Sequence, residues 1–113
     1  MNDAQRKKAQ KFLETNVGPN NIYSTSMVDL GSDTYQLRHP LTITIEDFGT
    51  EVIASWPEVE AWGSGLTDAD AINSLKNEIQ ALYADLRNTA EDQLGFLPAR
   101  WKRALDAVIS PKG

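Results

Sequence analysis

The chain has 113 residues, of which 16 are acidic and 11 basic, and its formal net charge is −5 at pH 7. This length and the 41% share of hydrophobic residues indicate one globular domain, residues 1–113. The absence of cysteine excludes disulfides, thiolate metal ligands and cysteine nucleophiles, and no apolar run reaches the roughly 20 residues of a membrane helix. No apolar stretch follows the N-terminus as in a secretory signal, so we expect a cytoplasmic protein that does not enter membranes.

Charge is distributed unevenly along the chain. Residues 15–96 hold three basic side chains against thirteen carboxylates, whereas residues 1–14 and 97–113 each hold four basic side chains. An acidic surface repels phosphate backbones and attracts basic proteins. We therefore do not expect direct binding to nucleic acid, and a basic protein partner is compatible with the charge. Solubility alone would also explain an acidic surface.

The first segment of the chain is predicted to be helical. Asp3 can cap a helix over residues 3–15, and the Gly, Pro and Asn residues within positions 16–21 favour a turn that ends it. We therefore assign residues 1–21 to an N-terminal helix and turn that precede the core.

Residues 22–88 show the pattern of a sheet followed by a helix. Extended segments rich in Val, Ile, Thr and Tyr are separated by short turns, which favours an antiparallel meander. The predicted strands cover residues 22–30, 34–37, 41–46, 52–56 and 59–62. The third of these alternates strictly, with Leu41, Ile43 and Ile45 on one face.

The clearest helix begins at Thr67, a good N-cap that is followed by Asp68 and Asp70 in the first turn. Its apolar residues recur at steps of three and four and form one stripe: Ile72, Leu75, Ile79, Leu82 and Leu86. Such a stripe is removed from water only if the helix lies across the sheet.

Residues 89–113 are predicted to form a polar linker and a last helix. That helix opens at residues 96–98 and ends at residues 110–111. Its predicted apolar face consists of Leu97, Trp101, Ala104, Leu105 and Val108. The fold class is therefore predicted to be α+β: an antiparallel β-meander packed by a long helix, with extra N- and C-terminal helices.

No residue pattern identifies a catalytic or metal centre. His39 lies between Arg38 and Pro40 with no nucleophile or acidic partner placed by the sequence, so an ordinary loop histidine is the simpler interpretation and a general base the alternative. The acidic pairs do not match the spacing of a calcium loop: Glu46 with Asp47, Glu58 with Glu60, and Asp68 with Asp70. We expect no catalytic residue, no metal ligand and no cofactor.

Two glycines precede the predicted helix N-terminus. Gly63 and Gly65 would suit an anion site, but the lysine and the remaining glycines of a P-loop are absent. We interpret the two glycines as a sharp turn from strand into helix.

The three tryptophans suit either a core or an interface. Trp56 and Trp101 are interpreted first as core residues, because large aromatic residues are routine there. Trp62 is the best interface candidate, because it shares strand parity with Glu58 and Glu60 and is therefore expected to leave the core side.

A more specific pattern spans residues 56–72. It runs from a strand through Pro, an acid and an apolar residue to Gly-x-Gly-x-Thr, after which an acid and Ala open a helix. The residues that form it are Pro57, Glu58, Val59, Gly63, Gly65, Thr67, Asp70 and Ala71. Together with the preceding hairpin and the following helix, roughly residues 38–88 resemble the HicB antitoxin family, and the flanking segments resemble a longer HicB-like branch.

The resemblance implies a partial ribonuclease H-like β-β-β-α core without nuclease activity. HicB proteins form oligomers and mask HicA, a small basic toxin that cleaves mRNA. One helix after residue 96 is too short for the helix-turn-helix with which many members bind operator DNA, so repression through DNA is not expected. The resemblance therefore implies a non-enzymatic, homo-oligomeric antitoxin that binds and occludes a HicA-like toxin.

Glu58, Glu60 and Trp62 are the residues that we expect to contact the partner. A strand edge near residues 41–46 or 59–62 is expected to pair with it. Two alternatives remain open: a stand-alone oligomeric scaffold or small-ligand-binding protein of the same fold, and a hydrolase that uses the acidic pairs. A genome neighbourhood without a short basic gene would favour the first alternative, and Mg²⁺-dependent nuclease activity would favour the second.

Overall fold

The computed structural model describes residues 18–112, so the predicted helix over residues 3–15 lies outside the described residues. The described residues form an α+β fold in which an antiparallel sheet packs against a helix, as the sequence predicts. Their strands are β1 (Asn21–Met27), β2 (Tyr35–Leu37), β3 (Leu41–Asp47), β4 (Val52–Trp56), β5 (Ala61–Gly65) and β6 (Ile109–Pro111). Their α-helices are α1 (Asp68–Arg87) and α2 (Phe96–Val108).

Four strands form the main sheet in the order β1-β3-β4-β5, with antiparallel neighbours throughout. β1 pairs with β3 along its whole length, from Asn21 opposite Asp47 to Met27 opposite Leu41. β2 leaves this sheet and pairs with β6 in a small second sheet. The predicted meander is therefore present from β3 to β5.

The expectation that residues 41–46 offer an exposed edge is wrong. β3 lies between β1 and β4: all of it pairs with β1, and residues 44–47 also pair with β4. Its strict alternation belongs to a central strand, in which Leu41, Ile43 and Ile45 are buried in the core. Among the described strands, the edges of the main sheet are β1 and β5.

Helix α1 begins where the sequence predicts and packs on β4 and β5. The Thr67 hydroxyl caps it by accepting a hydrogen bond from the Asp70 backbone N–H at 3.1 Å. Its buried residues are Ala71, Leu75, Ile79, Tyr83 and Leu86. Ile72 and Leu82 are only partly buried, so the buried stripe is rotated slightly from the predicted one. Neither helix of the described part is long and apolar enough to cross a membrane.

Gly63 and Gly65 lie within β5 and do not form the predicted turn. A Cβ atom at Gly63 would lie 2.6 Å from the Ser74 carbonyl carbon, and one at Gly65 would lie 2.8 Å from the Ala71 nitrogen. Side chains cannot be accommodated at such distances, so the two glycines allow the backbone of α1 to pack directly on β5. The chain turns into the helix only after Gly65.

Helix α2 closes one end of the core and leads into β6, a strand that the sequence does not predict. The Arg38 N–H donates to the Val108 carbonyl at 2.7 Å, where the helix passes into the strand. Leu105 is fully buried, but Leu97 of the predicted apolar face is 46% exposed. Residues 110–111, predicted to end the helix, instead pair with β2.

Contacts from α1 hold the loop that follows β1. Lys76 Nζ donates to Asp29 Oδ1 at 2.9 Å, and this bond is the main reason that the pKa of Asp29 is lowered. Gln80 Nε2 donates to the Leu30 carbonyl at 2.7 Å, and the Leu30 side chain is buried. The C-terminal end of β1 is thereby fixed relative to α1.

Candidate functional site

Within residues 18–112, no helix packs on the face of the main sheet opposite α1, which is here called the open face. In β5, Ala61 and Gly63 are buried beneath the helix, so Trp62 between them points to the open face. The same alternation in β4 places Ile53 and Ser55 there, and Ser55 lies directly opposite Trp62. This face carries a groove of about 420 Å³, here called the Trp62 groove. Its lining residues are Glu46, Ile53, Ser55, Pro57, Glu60, Ala61 and Trp62.

One end of the groove is shaped by a tight turn between β4 and β5. Pro57–Val59 form a single 3-10 turn, and the buried Val59 side chain anchors it in the core. Glu60 follows in the left-handed conformation, with φ 55° and ψ 31°, and its N–H donates to the Pro57 carbonyl at 3.1 Å. Residues other than glycine rarely adopt this conformation, so the backbone is strained at a residue that lines the groove.

The structure brings two of the three predicted contact residues together. Glu60 and Trp62 both line the groove, and Trp62 leaves the core side as predicted. Glu58 is exposed on the 3-10 turn and does not line the groove. The parity argument that grouped Glu58 and Glu60 with Trp62 is wrong, because residues 57–60 form a turn and not a strand.

Glu46 is the charged groove residue that the predicted set of contact residues lacks. It stands opposite Ile53 in the register of β3 and β4, and it points to the open face because Ile45 before it is buried. The alternation of residues 41–46 contained this signal. The alternation alone does not bring Glu46 to the groove. The strand order is also needed, because it places β3 and β5 on either side of β4.

The groove combines an apolar floor with carboxylates. Ile53, Pro57 and the Trp62 ring supply apolar surface, while Glu46 and Glu60 supply negative charge. Its lining contains no lysine, arginine or histidine. A cationic side chain with an apolar stem matches this chemistry, because it can lie over the indole ring and pair with a carboxylate.

The other residues considered from the sequence have structural contacts. The exposed His39 ring has its Nδ1 3.0 Å from the Pro40 carbonyl oxygen. The Tyr23 hydroxyl donates to the Asp68 carboxylate, and this hydrogen bond is the main reason that the pKa of Tyr23 is raised. Trp56 is 2% exposed in the core, as expected of a structural tryptophan. Within residues 18–112, no group of three His, Asp or Glu residues could hold a metal ion.

Comparisons with family models, curated proteins and solved structures gave no match to this chain. The geometry and charge of the Trp62 groove therefore provide the evidence on function.

Proposed function

We propose that this protein is a non-enzymatic, HicB-like antitoxin-type interaction protein that binds and occludes a small basic RNA-cleaving toxin. The observation that carries the proposal is the Trp62 groove, which combines an aromatic anchor with two carboxylates on a sheet face that α1 does not cover. In this mechanism the groove takes a cationic segment of the toxin, and the body of the protein blocks access of RNA to the cleavage surface.

The composition of the groove suits a protein partner. Tryptophan is among the residue types that contribute most to binding energy at interfaces, especially where neighbouring contacts exclude water. Trp62 is only partly buried where it lines the groove, so part of its surface is available to a partner. Glu46 and Glu60 add to the charge of the acidic region from residue 15 to residue 96, which favours encounter with a basic surface.

The order of the elements also supports the HicB-like interpretation. β3, β4, β5 and α1 follow one another in the chain and pack as a meander covered by one helix. This is the β-β-β-α order that the resemblance implies. Gly63 and Gly65, which belong to the matching pattern, lie where α1 contacts the sheet.

The experiment is a binding and inhibition assay with the product of the neighbouring reading frame. We expect a complex by calorimetry and loss of RNA cleavage when this protein is added. Trp62→Ala is expected to weaken binding at least tenfold, because a hot-spot aromatic residue contributes about 2 kcal/mol or more. Ser64→Ala, on the same face of β5 but outside the groove, serves as the matched control. Unchanged affinity after combined alanine substitution of Glu58, Glu60 and Trp62 contradicts the assigned surface.

The volume of the groove favours one alternative, a stand-alone scaffold that binds a small ligand. About 420 Å³ falls within the range of small-molecule sites. Saturable quenching of tryptophan fluorescence by a cationic aromatic probe, lost in Trp62→Phe, together with no complex with the neighbouring gene product, would favour this alternative over the antitoxin.

A further inference from the structure

Within residues 18–112, β1 is an edge strand that lacks the usual protection against pairing with another chain. Natural edge strands are short, charged, bulged or interrupted by proline. The seven residues Asn21–Met27 contain no charge, proline or glycine, and their register with β3 has no bulge. No strand within residues 18–112 pairs with the outer edge of β1.

The β5 edge is less suited to pairing with a copy of itself. It has five residues, and two of them are glycines that expose little side-chain surface. Glu60, a charged residue, directly precedes it, and charge at an edge strand disfavours pairing with another chain. β1 is flanked by the uncharged Asn20 and Val28.

We propose that the outer edge of β1 pairs antiparallel with β1 of a second copy of this chain. The two four-stranded sheets then form one continuous eight-stranded sheet. The two-fold axis is perpendicular to this sheet, so the open face of one copy continues the open face of the other. This interface does not depend on the proposed antitoxin function.

One register pairs all seven residues of β1. Facing residues in a sheet point to the same side, so each residue faces one of the same parity. Full overlap therefore places Ser24 opposite Ser24 of the second copy, and Ile22 opposite Ser26. A pair of seven-residue strands in this arrangement forms about six to eight main-chain hydrogen bonds.

Two exposed apolar side chains support this edge as a contact surface. Ile22 is 59% exposed and Val28 is 66% exposed. In the register centred on Ser24, Ile22 lies diagonally across from Val28 of the second copy, at about 7–8 Å between Cα atoms, where apolar side chains can touch. A chain of net charge −5 repels its copies in general, so an uncharged strand is a favourable place for them to meet.

The pairing also determines how the grooves are arranged. Seven strand intervals of about 4.8 Å separate the two β5 strands, so these strands and their Trp62 residues lie about 34 Å apart on one surface. Within residues 18–112, α1 packs chiefly on β4 and β5, away from the outer edge of β1.

Cysteine cross-linking tests the register directly. The chain has no cysteine, so Ser24→Cys introduces a single thiol. Facing Cα atoms in antiparallel strands are about 4.5–5.5 Å apart, within reach of a disulfide. We expect Ser24→Cys to form a covalent dimer under mild oxidation. Ser26→Cys, also exposed and on the same face, is the control, because the two Ser26 Cα atoms lie about 14 Å apart in this register. Failure of Ser24→Cys to cross-link, or equal cross-linking of both variants, overturns the register.

Sedimentation velocity of the full chain tests the interface itself. We expect twice the 12.5 kDa mass of one chain at micromolar concentration. Ser24→Lys places two like charges opposite each other at the two-fold axis and is expected to weaken dimerisation at least tenfold. Ser24 is exposed, so the variant keeps its circular dichroism spectrum. Ser64→Lys on β5 is the control and leaves the dimer intact. A monomer at all concentrations, or dissociation by Ser64→Lys alone, overturns the proposal.

Discussion

The β5 and β1 edges of the main sheet differ in what surrounds them. β5 lies under α1, contains two glycines that allow the helix to approach, and is preceded by a strained turn. β1 is longer, uncharged and regularly paired with β3, and α1 reaches it mainly through the Tyr23–Asp68 hydrogen bond. The structure of the β5 edge therefore depends on close packing of α1 against the strand, whereas that of the β1 edge depends on main-chain pairing with β3. The two edges are suited to different kinds of contact.

The packing at the β5 edge can be disrupted by adding one carbon atom. Gly63→Ala places a Cβ atom against the backbone of α1, so the helix and strand must separate. We expect the free energy of unfolding to fall by about 3 kcal/mol, at the upper end for overpacked cores. Chemical denaturation followed by circular dichroism measures this change. Gly18→Ala is the control, because nothing lies within 4 Å of its added Cβ atom. A loss below 1 kcal/mol at Gly63 would show that the contact is not rigid.

The hydrogen bond between Tyr23 and Asp68 links the edge strand β1 to helix α1. Its contribution to the free energy of unfolding depends on pH. Tyr23→Phe removes the donor to Asp68, and we expect a loss of about 1 kcal/mol, because the bond to a carboxylate is partly exposed. The pKa of Tyr23 is raised above its ordinary value of 10.0. The contribution is therefore fully present below pH 10 and is lost as the pH rises through the raised pKa.

Denaturation of wild type and Tyr23→Phe across alkaline pH measures this dependence. Asp68→Asn is the matched variant, because it retains an oxygen acceptor while removing the charge. It should return the pKa of Tyr23 toward 10.0 in an absorbance titration of the tyrosines. A stability difference that persists unchanged at high pH would contradict the assignment.

The smallest expected effect concerns the turn that precedes β5. Glu60→Gly removes the side chain from a left-handed residue, and we expect a gain of about 0.5–1 kcal/mol after allowance for glycine flexibility in the unfolded chain. The same variant removes a groove carboxylate and should weaken binding of a basic partner. Glu58→Gly, within the 3-10 turn, is the control and should lower stability slightly. A loss of stability in Glu60→Gly would show that the side chain supports the turn.

The sequence predicts the elements whose signals are local. The Thr67 cap and the apolar steps after it predict α1, and the alternation from Leu41 to Ile45 predicts β3. These signals depend on burial of one face, which the residues themselves display. The α+β class follows from the order of such elements.

Features that depend on distant partners were not predictable. Gly63 is compatible with a turn or with a close approach, and only the position of α1 distinguishes these possibilities. β6 has three residues, too few for any periodicity, and it forms because β2 is available. The placement of Glu46 beside Ile53 likewise requires the strand order. The candidate groove was therefore predicted only through Glu60 and Trp62.

The pairing of β2 with β6 has a consequence for synthesis of the protein. Gln36 in β2 contacts Ser110 in β6 across 74 residues of chain. All strands of the main sheet and α1 are available once Arg87 has emerged from the ribosome. In contrast, β2 can pair with β6 only after Pro111 has emerged. We therefore expect the small sheet to form after the main sheet and α1, and the loop that carries β2 to remain accessible to proteases until residues 109–111 are available.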